Sequence, residues 1–221
     1  MYTGEWLEAD QIAAELIAEP GLPLICQPVV LVTQGRLLAR QGAPGSTEAL
    51  DRALEISRKI NNLQRIGVVY TARAEAAWLA NDPKKTLEEV EAFYDVAIKN
   101  RQPGFAAELA YWRWRAGDRV ETFDWMVRPF ALEIQGDWRG AAAAWDALGC
   151  PYEQARALAN GDPVAQIAAL TIFDRMGALP MANVVRQQLR HAGVRDIPRR
   201  PRLSTRKNPL GLTDRQVEIL A

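Results

Sequence analysis

A single histidine, two cysteines and no surplus of either charge set the first limits on this 221-residue chain. One imidazole leaves His191 as the sole histidine available for acid–base work. It falls in a basic terminal helix near Arg186 and Arg190, where a helix-end position favoured by the dipole explains it better than catalysis. Cys26 and Cys150 lie far apart in apolar helical contexts without the paired spacing of a zinc site, and read as reduced, buried thiols. Twenty-seven basic side chains balance twenty-seven acidic ones, which excludes the positive field of a whole-surface nucleic-acid binder. The strongest apolar run, Val29 to Thr33, is far short of the roughly 20 residues needed to span a bilayer. Met1 is followed by acidic, amphipathic sequence, not by a basic and then apolar leader, so the expected location is the cytoplasm. No Gly-rich loop ending in Lys-Ser/Thr is present, and Ser46, Ser57 and Ser204 lack a Gly-flanked nucleophile elbow. Glu88, Glu89 and Glu91 follow Lys84 and Lys85 by about one turn, the pattern of a solvated helix face. With no metal ligand set, covalent nucleophile or phosphate cradle in view, the chain is not expected to be an enzyme or to hold a cofactor.

What is present is ordinary globular composition, 48% hydrophobic and 24% charged, arranged with helical periodicity almost throughout. The pattern predicts an all-α fold with eleven helices near 5–19, 24–41, 46–61, 64–80, 83–99, 104–116, 127–135, 137–148, 151–160, 163–176 and 179–192. Short connections imply antiparallel neighbours. Four turns share one chemistry: Ala80-Asn81-Asp82, Ala116-Gly117-Asp118, Gln135-Gly136-Asp137 and Asn160-Gly161-Asp162. Asn or Gly takes the left-handed conformation that ends a helix, and the following Asp accepts from the free amides that open the next. Pro83 and Pro163 stand at first helical positions, where a missing N–H costs nothing. Within 138–148, Ala141, Ala142, Trp145 and Leu148 share a face and read as core.

Small residues recur at matching places before the turns, Gly35, Ala74 and Ala110, 39 and 36 residues apart. A tetratricopeptide unit repeats at about 34 residues. The chain resembles that architecture, with the register loosening after residue 118, where the turn-to-turn distance falls to 19. The expected fold is a stack of antiparallel helix pairs in a tetratricopeptide-like right-handed superhelix, an α-solenoid, over residues 1–194. In such units the inner face of each first helix follows the small residue at offsets of one, four and five. Those positions are Arg36, Ala39 and Arg40, then Glu75, Trp78 and Leu79, then Tyr111, Trp114 and Arg115. Arg36, Arg40, Glu75, Trp78, Tyr111, Trp114 and Arg115 are therefore candidates for a partner or effector groove, since arginine and aromatic side chains dominate binding hot spots. The alternative for Trp78 and Trp114 is that they fill space between helices.

Composition changes after Gly193. Arg195, Arg199, Arg200, Arg202, Arg206 and Lys207 crowd together with Pro198 and Pro201, opposed only by Asp196. Residues 195–211 read as an extended basic linker, a solvated tether or a segment lying near a polyanion. Beyond it, Gly211-Leu212-Thr213-Asp214-Arg215-Gln216-Val217-Glu218-Ile219-Leu220 reads as a helix start, with Thr213 as N-cap and Gln216 as its capping-box partner. This string resembles the opening of a LuxR-type helix-turn-helix domain. Glu108 to Gly117 and Gly149 to Ala155, followed by the basic linker, also resemble the region preceding that domain in large ATP-dependent LuxR-type regulators of the maltose-activator class.

The resemblance implies a helical sensor region preceding a truncated DNA reader at 212–221. ATP is implied only for an upstream module, and specific DNA binding only for the missing remainder of the reader, because no recognition helix follows Leu220. Arg199, Arg200, Arg202, Arg206 and Lys207 would then lie close to DNA. The expected role is to sense a protein partner or small-molecule effector, without membrane contact. The alternative is a structural interaction scaffold with no sensing, and a hidden hydrolase stands third.

Overall fold

The computed structural model of the chain describes residues 3–198 and 219. Among them are twelve helices and no strand. They are α1 (Trp6–Ala18), α2 (Gln27–Gln41), α3 (Ser46–Lys59), α4 (Leu63–Leu79), α5 (Pro83–Glu91), α6 (Tyr94–Lys99), α7 (Pro103–Arg115), α8 (Arg128–Ile134), α9 (Trp138–Ala147), α10 (Pro151–Leu158), α11 (Pro163–Met176) and α12 (Leu179–His191). The all-helical expectation holds for these residues. The basic positions 199–207 and the helix-turn-helix start at 212–221, apart from Ile219, lie outside them.

The turn chemistry accounts for the starts of α5, α9 and α11. Asp82, Asp137 and Asp162 accept from the backbone amides of Lys85, Gly140 and Ala165 at 2.9, 2.9 and 3.0 Å, as N-caps do. Asn81 and Gly136 carry the positive φ that ends the preceding helix. Two details differ from expectation. Asp118 caps nothing: it accepts from Arg113 Nε at 3.1 Å, and residues 118–127 form no helix. In that stretch the Phe123 and Trp125 rings meet tilted at 36° with centroids 4.2 Å apart, and Met126 enters the core. Gly161 does not take the left-handed conformation. Its bare Cα instead admits the Trp138 indole, which an added Cβ would meet at 2.9 Å.

One predicted helix is two. Residues 83–99 break at Ala92-Phe93 into α5 and α6, because Phe93 turns inward between Tyr70 and Phe105, with centroids at 5.8 and 6.3 Å. Gly67 of α4 makes this possible, since a Cβ there would lie 2.6 Å from the Phe105 ring. Gly35 plays the same part between α2 and α3, where a Cβ would meet Leu50 at 2.7 Å. Ala74 and Ala110 are fully buried, as small residues at close helix approaches should be. In α9, Ala141, Ala142 and Trp145 are core, whereas Leu148, expected on the same buried face, is exposed at the helix end. Cys26 and Cys150 are half-buried free thiols, not fully buried ones.

Most helices pack on the neighbour in sequence or the one beyond, as α2 does on α3 and α4 and α7 does on α8 and α5, while α4 also reaches α7, three helices on. The path then returns, because α12 packs on α2. Apolar side chains form two clusters. The larger runs from α2 to α10 through Tyr70, Phe93, Trp112, Phe130 and Trp145. The second joins Trp6 of α1 and Leu37 of α2 to Tyr152, Phe173, Met181 and Leu189. Val194 and Ile197, at the start of the basic stretch, pack on this second cluster.

Candidate functional site

Between the two apolar clusters lies a layer of charge. Arg36 and Arg40 are one turn apart on α2 and therefore project from one face. Arg36 Nη2 donates to Thr71 Oγ1 at 2.7 Å and Glu108 Oε1 at 2.6 Å, with its Nε 3.4 Å from Glu75 Oε2. Arg40 grips Glu75 in a forked pair, Nε to Oε1 at 2.6 Å and Nη2 to Oε2 at 3.2 Å, and also reaches Glu153 Oε1 at 3.0 Å. Its guanidinium lies 3.9 Å from the Tyr152 ring centroid, close enough for cation–π attraction. Glu75 thus sits between two arginines of α2, and Arg40 ties α4 to α10.

A second centre adjoins the first. Arg156 of α10 lies 3.9 Å from the Tyr111 ring centroid and donates to Glu133 Oε1 at 2.8 Å. The same carboxylate accepts from Trp145 Nε1 at 3.0 Å. Three guanidiniums, Arg36, Arg40 and Arg156, therefore face four carboxylates, Glu75, Glu108, Glu133 and Glu153, and all but Glu108 are essentially inaccessible.

Burial and charge act oppositely on these groups. Burial pushes the Glu75 carboxyl upward, but Arg40, Arg36 and the Arg40 hydrogen bond outweigh it and leave its pKa below the usual carboxylate range. Glu75 is an anion locked in ion pairs, which suits it to fastening helices and not to accepting a proton. Burial raises the Tyr111 hydroxyl to about 12 against the opposing pull of Arg115 and Arg156, so it stays neutral. Burial likewise raises the Cys150 thiol, with Glu153 adding to the shift and Arg40 opposing it. That thiol has little thiolate character.

The seven residues singled out as a groove are brought together, but not as an open surface. Arg36, Arg40, Glu75 and Tyr111 are buried, and they pair with one another's elements. Trp78, Trp114 and Arg115 are half-exposed. Arg115 lies 4.2 Å from the Trp78 ring centroid, Trp78 Nε1 donates to the Arg115 carbonyl at 3.1 Å, and Arg115 Nη1 donates to Asn160 Oδ1 at 3.2 Å. These two side chains line a hollow of about 260 Å³ with Asn81, Pro83, Pro180 and Val184. A larger hollow of about 590 Å³ opens beside it, between the α2–α3 turn, the end of α4 and Pro180.

Sequence reasoning missed Glu108, Glu133, Tyr152, Glu153 and Arg156. Glu153 and Arg156 are three apart on a short helix with Tyr152, an Arg and carboxylate pattern like that of α2 and α4. The irregular spacing after residue 118 offered no register by which to choose them. His191 is exposed at the end of α12. Among the described residues no cluster of His, Cys, Asp and Glu is placed to hold a metal ion, and no helix is long and apolar enough to cross a membrane. Compared with known proteins, the chain matches no family model, no curated protein and no solved structure.

Proposed function

We propose that this chain is the partner- or effector-sensing helical-repeat region of a LuxR-type transcriptional regulator, folded as stacked antiparallel helix pairs of tetratricopeptide type and non-catalytic by itself. It works in the cytoplasm, and ATP and DNA are handled by modules on either side. The sequence 211–220 and the basic residues 199–207 supply the link to that family. The observation that carries a sensing role is Arg40, which holds Glu75 of α4 and Glu153 of α10 at once although the latter is 113 residues away. One charge pair, Arg40 with Glu153, thus joins α2 to α10 across the helix array. A ligand that prefers one arrangement of those helices would shift the population of the whole array and of anything attached to its ends.

The half-exposed Trp78 and Arg115 and the hollow they line are the place where such a ligand would make contact. Titration of the complete regulator with effectors, followed by DNA binding, tests the reading. Coupling is expected in the parent and is lost in Trp78→Ala and Arg115→Ala; no coupling at saturating effector overturns it.

Burial of Arg36, Arg40, Glu75 and Tyr111 favours a second reading, a scaffold that holds neighbouring modules in place without sensing. On that reading Trp78→Ala and Arg115→Ala lower the melting temperature and leave effector coupling with nothing to lose.

A further inference from the structure

Helix α1 is unlike the rest of the molecule. Of its thirteen residues only Trp6 and Ala13 are buried, whereas Leu7, Ile12 and Leu16 are exposed at 77, 48 and 38%. Glu8, Ile12, Glu15 and Glu19 follow at helical spacings of four, three and four, so an acidic stripe runs along the outer face with Ile12 and Leu16 at its edge. The first 35 residues contain no Lys or Arg at all. Among the described residues none of the α1 carboxylates makes an ion pair, and the nearby cation is Arg52, which lines a small hollow with Glu19.

The opposite composition follows in the sequence after Pro198. Arg199, Arg200, Arg202, Arg206 and Lys207, with Leu203 among them, carry five positive charges and no negative one. This stretch starts two residues after Ile197, which packs on the same apolar cluster as Trp6 and Ala9 of α1. We propose that the outer face of α1 is the docking site of the chain's own basic segment 199–207. Charge complementarity selects this occupant over a second copy of α1, whose identical acidic stripe would repel. Reach allows it: nine residues extend to about 30 Å at roughly 3.3 Å each, and α1 is about 20 Å long. Exposed charges alone would hold the segment weakly, and burial of Ile12 and Leu16 beside the stripe adds to the contact. The contact would hold the basic residues away from any polyanion. It stands whether or not the chain belongs to a transcription regulator.

The test is tryptic cleavage within 199–207 of the intact chain at low ionic strength, followed by mass spectrometry. Cleavage is expected about fivefold faster in Glu8→Gln/Glu15→Gln/Glu19→Gln, a difference that 1 M salt abolishes. Ile12→Ser/Leu16→Ser should accelerate cleavage in the same direction. Because all five residues are exposed, unchanged melting temperatures verify that the body remains folded. Equal cleavage rates in the parent and both variants overturn the proposal. So does protection that grows with protein concentration, which would place the segment on another copy.

Discussion

The buried cluster around Glu75 and the partly open cluster around Arg73 use the same side chains to different ends. Arg73 forks onto Glu89, with both contacts at 2.7 Å, and pairs with Asp51, which is 58% exposed; Lys85 reaches Glu88 and Glu89 nearby. Arg40 forks onto Glu75 with comparable geometry, yet neither side chain retains more than 1% exposure. Water and salt screen Asp51, Lys85 and Glu88 at the rim of the Arg73 cluster, which are about half exposed, although the Glu89 carboxylate beneath them is itself buried. The Glu75 cluster has no such exposed rim, and each ion depends on its partners. The inner cluster therefore fixes which helices meet, whereas the outer one decorates a meeting already made by Leu54, Tyr70 and their neighbours.

The largest expected effect follows from breaking the inner cluster on one side. Glu75→Ala leaves Arg36 and Arg40 short of a buried counter-ion and should cost about 3–5 kcal/mol in urea unfolding. A loss under about 1 kcal/mol would mean that the interior solvates its charges as the Arg73 cluster does, and the contrast would vanish. Arg40 Nη1, Glu153 Oε2 and the Tyr152 hydroxyl have no hydrogen-bond partner among the described residues, so the network is incompletely satisfied. Removing both partners of a pair should then cost less than the sum of the single removals. A double-mutant cycle on Arg40→Ala and Glu153→Ala is expected to give a coupling of about 0.5–3 kcal/mol, and additivity would show that this contact carries no energy.

How much of this was legible in the sequence differs between the same two regions. Caps such as Asp82 and Asp162 act within four residues, so local pattern reveals them. The outer cluster is also partly local, since Lys85, Glu88 and Glu89 lie on one turn of α5. The clustered positions of α2, α4 and α7 could be chosen because they follow the small residues Gly35, Ala74 and Ala110 at matching offsets. What could not be read was their burial, because the covering side chains come from α8 and α10, beyond the irregular stretch 118–127. A guanidinium on a helix face looks the same in sequence whether its lid is solvent or a tyrosine 112 residues later, as Arg40 and Tyr152 are. The break at Phe93 escaped for a related reason: only the cavity over Gly67 explains why that ring turns inward.

Acid separates the clusters by a different route. The Glu75 pKa is held down in the folded protein and returns to about 4.3 on unfolding. Its contribution to stability is therefore complete above that value and is lost as pH falls toward the lower folded one. Stability measured by urea between pH 7 and 3 should decline below about pH 4.3, and Glu75→Gln should flatten part of that decline while starting from a lower plateau. An identical slope in parent and variant would place the acid-sensitive groups elsewhere.

The smallest effect is expected where the outer cluster is cut. Asp51 is mostly exposed, so Asp51→Ala should change stability by no more than about 1 kcal/mol even though it removes a charge contact to Arg73. Arg73 keeps its forked pair with Glu89, which prevents the loss of one carboxylate from stranding the guanidinium. Whatever effect remains should fade between 0.05 and 1 M salt, because the Debye length drops to about 3 Å and exposed charges stop sensing each other. The Glu75→Ala loss, measured over the same salt range, should barely move, since mobile ions do not reach a pair sealed beneath Tyr152 and Glu153. If both losses fade together, salt reaches the inner charges, and the two clusters differ in position but not in physics.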